Sequence, residues 1–207
     1  MPPTDWNERY SSENPPWDTG RPDPHLVDLV ESGTVKPGPV LEIGCGTGTN
    51  AIWLAERGFD VLGIDVSSLA VERATAKGAH VGERCGFRTL DFLSDPVDGS
   101  FDLVFDRGCF HSFDHAEDRS RYTEHVGRVL SPVGRWVSII GSTEGPERDS
   151  GPPRRTARDI ADAVEPFLQI LELRMSHLDA DLPSTPAAWL LVAGHRTVPA
   201  QPSTMRE

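Results

Sequence analysis

The chain has 207 residues, 37% of them hydrophobic and 25% charged, enough to bury the core of one α/β domain and short for a second large one. The formal net charge of −12 repels a polyanion on average, and the one basic cluster (Arg154, Arg155, Arg158) is too small to reverse that field, so nucleic acid is a poor partner. No apolar run approaches the roughly 20 residues that cross a bilayer and Met1 to Tyr10 is polar, so no membrane partner and a cytoplasmic location are expected.

Residues 1–24 carry Pro15, Pro16, Pro22 and Pro24, cannot form one regular helix, and are expected to form an extended arm. A short helix from His25 to Glu31 ends near Gly33, and Pro37 and Pro39 introduce a strand at Val40 to Ile43. The glycine turn Gly44 to Gly48 leads into a helix around Asn50 to Arg57 and a second strand at Val61 to Ile64, a βαβ unit. A helix over Ser67 to Lys77, a strand near Phe87 to Leu90 and a fourth strand at Phe101 to Phe105 continue the alternation.

Tyr122, Val126, Val129 and Leu130 form the stripe of an amphipathic helix, and Trp136 to Ile140 reads as a fifth strand. Gly141 to Pro153 is a loop, after which Thr156 and Asp159 resemble a capping box for a helix carrying Ile160 and Val164. Leu171, Leu173 and Met175 alternate with Glu172 and Arg174 like a half-exposed strand, whereas Ala188 to Ala193 is continuously apolar like a buried one; the two are expected to pair as a closing hairpin. The tail 197–207 has no periodic pattern and is expected to be mobile. The fold class is therefore α/β and Rossmann-like, with about seven strands, mainly parallel with an antiparallel C-terminal pair, and helices on both faces.

The segment Val40 to Gly48, VLEIGCGTG, sets an apolar strand before alternate glycines and a helix after them. Without Cβ atoms the chain turns sharply and a ligand can approach the backbone, while the helix start offers N–H groups to a carboxylate. A dinucleotide loop wants a small residue where Thr49 stands, and a phosphate loop wants a lysine that is absent. Asp65 closes the second strand, where a carboxylate accepts hydrogen bonds from ribose hydroxyls. The bland alternative, a structural turn with capping aspartates, stays open.

With VLGID at Val61 to Asp65, LDF at Leu90 to Phe92 and FDLVFD at Phe101 to Asp106, the sequence resembles the class I S-adenosylmethionine-dependent methyltransferases over roughly Val40 to Arg196. The arm WDTGRPDP from Trp17 to Pro24 and the run DRGCFH from Asp106 to His111 look like the thiopurine, thiol/halide and tellurite-resistance branch. The resemblance implies an enzyme whose cofactor is S-adenosyl-L-methionine, with S-adenosyl-L-homocysteine as product. It implies that Gly44, Cys45, Gly46 and Gly48 hold the methionine moiety, Asp65 the ribose, Val66 the adenine face, and Asp91 with Phe92 the adenine edge. Asp106 would lie beside the sulfonium and amino group, Glu42 adds a further acid near these cations, and Trp17 and Arg21 become lid residues in an N-terminal arm or lid at 1–24, before a methyltransferase domain at 25–196.

The acceptor is expected to be a small molecule, with a sulfur nucleophile slightly favoured over oxygen or nitrogen. An alcohol or amine usually needs a base, and His111 is the best-placed candidate, set against the reading of a packed histidine. The NPPY-type pattern of nucleic-acid amino-methyltransferases is absent at Asp106 to Cys109. Cys109 is expected to line the pocket, because this chemistry needs no covalent enzyme intermediate. Cys45, Cys85 and Cys109 lack CxxC spacing and read as free thiols, and His111 with His115 lacks a third ligand, so no metal is assigned. Loops 142–155 and 176–186 are expected to border the acceptor pocket. A non-catalytic cofactor-binding protein and a dinucleotide-dependent oxidoreductase remain as other classes.

Overall fold

Strand β1 (Pro39–Ile43) is apolar along nearly its whole length because both of its faces are covered. It pairs in parallel with β2 (Asp60–Asp65) on one side and with β4 (Phe101–Arg107) on the other. The computed structural model describes residues 5–11, 15–146, 151, 153–182 and 184–196, and the tail expected to be mobile lies outside them. Within this range β3 (Cys85–Thr89), β5 (Leu130–Gly141), β6 (Gln169–His177) and β7 (Ala187–Gly194) complete a seven-stranded sheet of order β3-β2-β1-β4-β5-β7-β6. Strands β1 to β5 run parallel, and β7 lies antiparallel between β5 and β6. The apolar Ala188 to Ala193 is thus the interior strand of the closing hairpin, and the alternating segment is its edge.

The period-two alternation sorts side chains onto two faces. Leu41, Val104, Trp136, Ile140 and Leu191 pack with Tyr122, Val126 and Ile160 of the helices α5 (Ala116–Val129) and α6 (Ala157–Val164). Val40, Leu103, Phe105, Val137 and Leu190 pack with Leu26 of α2 (Pro24–Glu31) and Leu54 of α3 (Thr49–Ala55). Helix α4 (Ser68–Gly78) starts at the N-cap Ser67, whose hydroxyl accepts the Ala70 N–H. The capping box of α6 forms as its sequence indicates.

Two elements depart from the sequence reading. Strand β5 begins at Leu130 instead of Trp136, because Phe101 pairs with Leu130 and Leu103 with Arg135; a bulge takes up Ser131 to Gly134. The arm is not extended throughout: α1 (Trp6–Ser11) forms where no proline interrupts it, with the Asp5 carboxylate accepting the Glu8 N–H at 3.1 Å.

Candidate functional site

The turn after β1 is held by two backbone bonds, Cys45 N–H to Ile64 C=O and Gly48 N–H to Cys45 C=O, both 2.9 Å. Gly44, Gly46 and Gly48 all adopt positive φ, at 68°, 54° and 77°, which a Cβ makes costly. Space adds a second requirement: a Cβ on Gly46 would stand 2.6 Å from the Tyr10 hydroxyl, and one on Gly44 would stand 3.0 Å from the Cys109 Cβ. Asp65, at the end of β2, accepts the Gly46 N–H and the Ser67 N–H at 2.8 Å each. Burial raises its pKa, and the backbone donors of Ser67, Gly46 and Val66 partly oppose that rise.

Beneath the loop, Glu42 is buried, and its Oε1 accepts the Asn50 side-chain N–H at 2.9 Å. Burial pushes the Glu42 pKa up to about 7, against the lowering by the Asn50 side chain and the Ala51 N–H. Asn50 also accepts the Asp23 N–H at 2.8 Å, so the carboxylate of β1, the first turn of α3 and the arm are joined.

The arm roofs the loop. Trp17 donates its indole N–H to the Tyr10 hydroxyl at 3.2 Å and packs edge-on against Trp6 and Tyr10. Thr47 donates to both Asp18 oxygens, at 2.9 and 2.8 Å, and the Asn7 side-chain oxygen accepts from the Ser67 hydroxyl and the Leu69 N–H at the start of α4. Arg21 instead turns to Asp179 and Asp181 and stays 56% exposed. Tyr10 and Asn7 escape a motif search. Their signal is the i, i+4 pair of Trp6 and Tyr10 after the capping Asp5, a pattern that a proline count overrides.

At the end of β4, Asp106 is fully buried, accepting the Phe110 N–H at 3.0 Å on one oxygen and the Trp136 indole N–H at 2.9 Å on the other. Burial raises its pKa to about 6 against these donors and the neighbouring Ser138 and Tyr122 hydroxyls. His111 sits in the 3₁₀ turn Phe110–Ser112, is buried, and accepts the Gly141 N–H on Nδ1 at 2.7 Å. Arg155 donates to the carbonyls of His111 and Phe113, closing the 142–155 loop onto this turn. The half-buried Cys109 thiol is held well above its ordinary pKa by desolvation and by Asp106, so it is a neutral wall.

At the far rim Val66 is half exposed beside Asp65. Asp91 is exposed and accepts from the Leu93 N–H and the Ser94 hydroxyl, while Phe92 is buried against Tyr122 and His125. Glu42, Asp65 and the glycine loop with Trp17 and Tyr10 over it therefore form one cluster; Asp106, Cys109 and His111 form a second that meets it at Gly44. Among the described residues no group of three or more His, Cys, Asp or Glu side chains is arranged to hold a metal. An open, charged concavity of about 600 Å³ is lined by Thr47, Arg73, Lys77, Asp18 and Asp181.

S-adenosylmethionine, which joins a carboxylate to cationic amino and sulfonium groups and a ribose diol, fits this donor set. The loop turns through three positive-φ glycines that let a ligand approach the backbone, and the acids Glu42 and Asp65 suit the cations and the diol.

Comparison with known proteins supports the same direction. The profile of the family described as thiopurine S-methyltransferase matches residues 1–185. A probable thiol methyltransferase of Arabidopsis thaliana is 32% identical over 72% of this chain and 65% of its own length, so the chain spans just under two thirds of that relative. A 2-heptyl-1-hydroxyquinolin-4(1H)-one methyltransferase of Mycobacteroides abscessus is 28% identical over 81% of this chain and 74% of its own. A solved structure described for the conversion of a disulfide bond into a thioacetal group during echinomycin biosynthesis superposes with a TM-score of 0.79 at 27% identity, covering 91% of this chain and 87% of that one. Among the described residues, no helix is long and apolar enough to cross a membrane.

Proposed function

The chain belongs to the thiopurine S-methyltransferase family and so to the S-adenosylmethionine-dependent methyltransferases, and from that premise we propose that it methylates a small molecule at sulfur, taken up as the thiolate. One observation carries the choice of sulfur. Neither candidate base is available: the His111 Nδ1 accepts the Gly141 N–H, and Asp106 is fully buried beneath the turn, where it holds the Phe110 and Trp136 N–H groups. With Nδ1 an acceptor, the imidazole carries its proton on Nε2 and is a donor there. An acceptor that needs its proton removed finds no lone pair on His111 without breaking the Gly141 bond; a thiolate needs no such help.

In this reading the glycine loop, Gly44 to Gly48 with Cys45, lets the methionine moiety approach the backbone closely, and Asp65 orients the ribose. Val66, Asp91 and Phe92 border the adenine, and Glu42 balances the cationic end. When bound, the cofactor supplies a methyl group already activated by the sulfonium. The chain orients the acceptor and excludes water, with Trp17 and Tyr10 in the arm as the roof. His111 and Asp106 fix the turn after β4 that borders the acceptor, through their bonds to Gly141 and Phe110. The partner is a small molecule, in keeping with the net charge of −12 and a cytoplasmic setting.

The test is an acceptor panel of matched thiophenol, phenol and aniline with purified enzyme and S-adenosylmethionine, run from pH 5 to 9. A thiophenol rate that follows ionisation of the thiol, with phenol and aniline at least about 100-fold slower, is the expected result. Phenol or aniline turnover equal to thiophenol, with a pH profile set by an enzyme group, overturns it. The quinolone methyltransferase relative favours a second reading, in which an acidic hydroxyl on a heteroaromatic ring is the acceptor, so such a compound belongs in the panel. Tight cofactor binding without turnover on any acceptor would support a non-catalytic binding protein.

A further inference from the structure

Arg107 ends β4, and its guanidinium meets three separate parts of the chain. Nε lies 3.2 Å from the buried Asp23 carboxylate, Nη1 donates to the Trp17 carbonyl at 2.9 Å, and Nη2 donates to the Asp179 carbonyl. Trp17 lies in the arm that roofs the glycine loop and Asp179 in the connection between β6 and β7, which meets the arm at Pro16, so one side chain grips both segments. Only 14% of the Arg107 side chain is exposed and none of the Asp23 side chain, so this ion pair and the two hydrogen bonds to carbonyls are shielded from solvent.

The other ties between the two segments are weaker. Arg21 pairs with Asp179 and Asp181 across side chains that are 56%, 29% and 60% exposed, where ion pairs contribute little. A single backbone bond joins Asp181 N–H to the Pro16 carbonyl. Asp23 in turn reaches the glycine loop's helix through Asn50 and Glu42. It also reaches β6 through His25, whose Nδ1 lies 3.0 Å from its carboxylate and whose Nε2 meets the Ser176 hydroxyl.

We propose that Arg107 is a positioning residue that makes seating of the arm and seating of the 178–182 segment one event, so that the cradle closes from both sides together or from neither. A planar fork with several donors can hold two carbonyls and a carboxylate at once; a lysine ammonium lacks that geometry. The structural account rests on the contacts alone, and only its kinetic consequence rests on the methyl-transfer reading above.

The test is hydrogen–deuterium exchange on the full chain for wild type, Arg107→Ala, Arg107→Lys and Arg21→Ala, with kinetics on the best acceptor of the panel. In Arg107→Ala, exchange at 15–21 and at 178–182 should rise together by about 10-fold or more while the sheet stays protected, and added guanidinium ion should lower both. The Lys variant should loosen both segments as well, and it substitutes for the Ala variant if the latter does not fold. Arg21→Ala should change each by less than about 2-fold. Acceptor kcat/KM should fall by about 10- to 100-fold in Arg107→Lys, with KM carrying part of the loss. Loosening of one segment alone, a rise spread evenly over the sheet, or unchanged exchange in both variants overturns the coupling. The exchange arm needs no turnover, so its outcome is separable from that of the acceptor panel.

Discussion

At Asp65 each carboxylate oxygen already accepts a backbone N–H, from Gly46 and from Ser67, at 2.8 Å. The side chain therefore shapes the glycine loop besides its proposed role toward the diol, and Asp65→Ala removes both effects. S-adenosylhomocysteine should bind about 10- to 100-fold more weakly to that variant by calorimetry, the loss expected for one or two bonds to a charged group; unchanged affinity would remove Asp65 from the site. Glu42 offers a pH signature. Its carboxyl is raised from an ordinary 4.5 to about 7 by burial, so between these values the folded state holds a proton that the unfolded chain has released. That contribution to stability is complete below about 4.5 and is lost as pH rises through about 7, with a limiting slope of about 1.4 kcal/mol per pH unit. Glu42→Gln does not titrate, so it should gain on wild type by about 1 to 3 kcal/mol between pH 4.5 and pH 8 in urea unfolding. Parallel pH curves for the two proteins would show that Glu42 is not the group responsible.

Elements announced by a strong local signal formed where the sequence put them. The Thr156 and Asp159 box caps α6, and the apolar run before Gly44 is the central strand β1. What was not legible depended on partners distant in sequence. Strand β5 extends back to Leu130 only because Phe101 is there to pair with it, and α1 is docked by Asn7 on the first turn of α4, some 60 residues away. Within the site, the glycine loop and Asp65 were readable from spacing, since local backbone geometry dictates them. The commitment of His111 to Gly141, 30 residues on, and the grip of Arg107 on two loops were not, because they arise only when the carboxyl ends of β4 and β5 lie side by side. The cap itself is testable at this scale: Thr156→Ala loses the bond from its side chain to the Asp159 N–H, 3.0 Å long, and should cost about 1 kcal/mol in urea unfolding. A loss below about 0.3 kcal/mol would mean that packing of Ile160 and Val164 holds α6 without its cap.

For the molecule as a whole, the sheet is a partition between two cores. Leu54 is fully buried with Leu26, Val40, Leu103 and Phe105 on one face, and Ile160 is fully buried with Tyr122, Val126 and Trp136 on the other. The proposed cofactor cradle lies over the strand ends where both cores finish, and it would draw Asn50 from the first side and Asp106 with Cys109 from the second. If the sheet insulates the faces, a cavity on one side is not relieved by repacking on the other. Leu54→Ala should then cost about 2 to 5 kcal/mol and Ile160→Val about 0.5 to 1.5 kcal/mol. The double variant should equal their sum within about 0.5 kcal/mol, measured as urea midpoints at constant slope. A departure from additivity above about 1 kcal/mol would show that strain passes through the sheet. In that case mutations in either core would also reach the cradle, and affinity for S-adenosylhomocysteine would fall in Leu54→Ala and Ile160→Val alike.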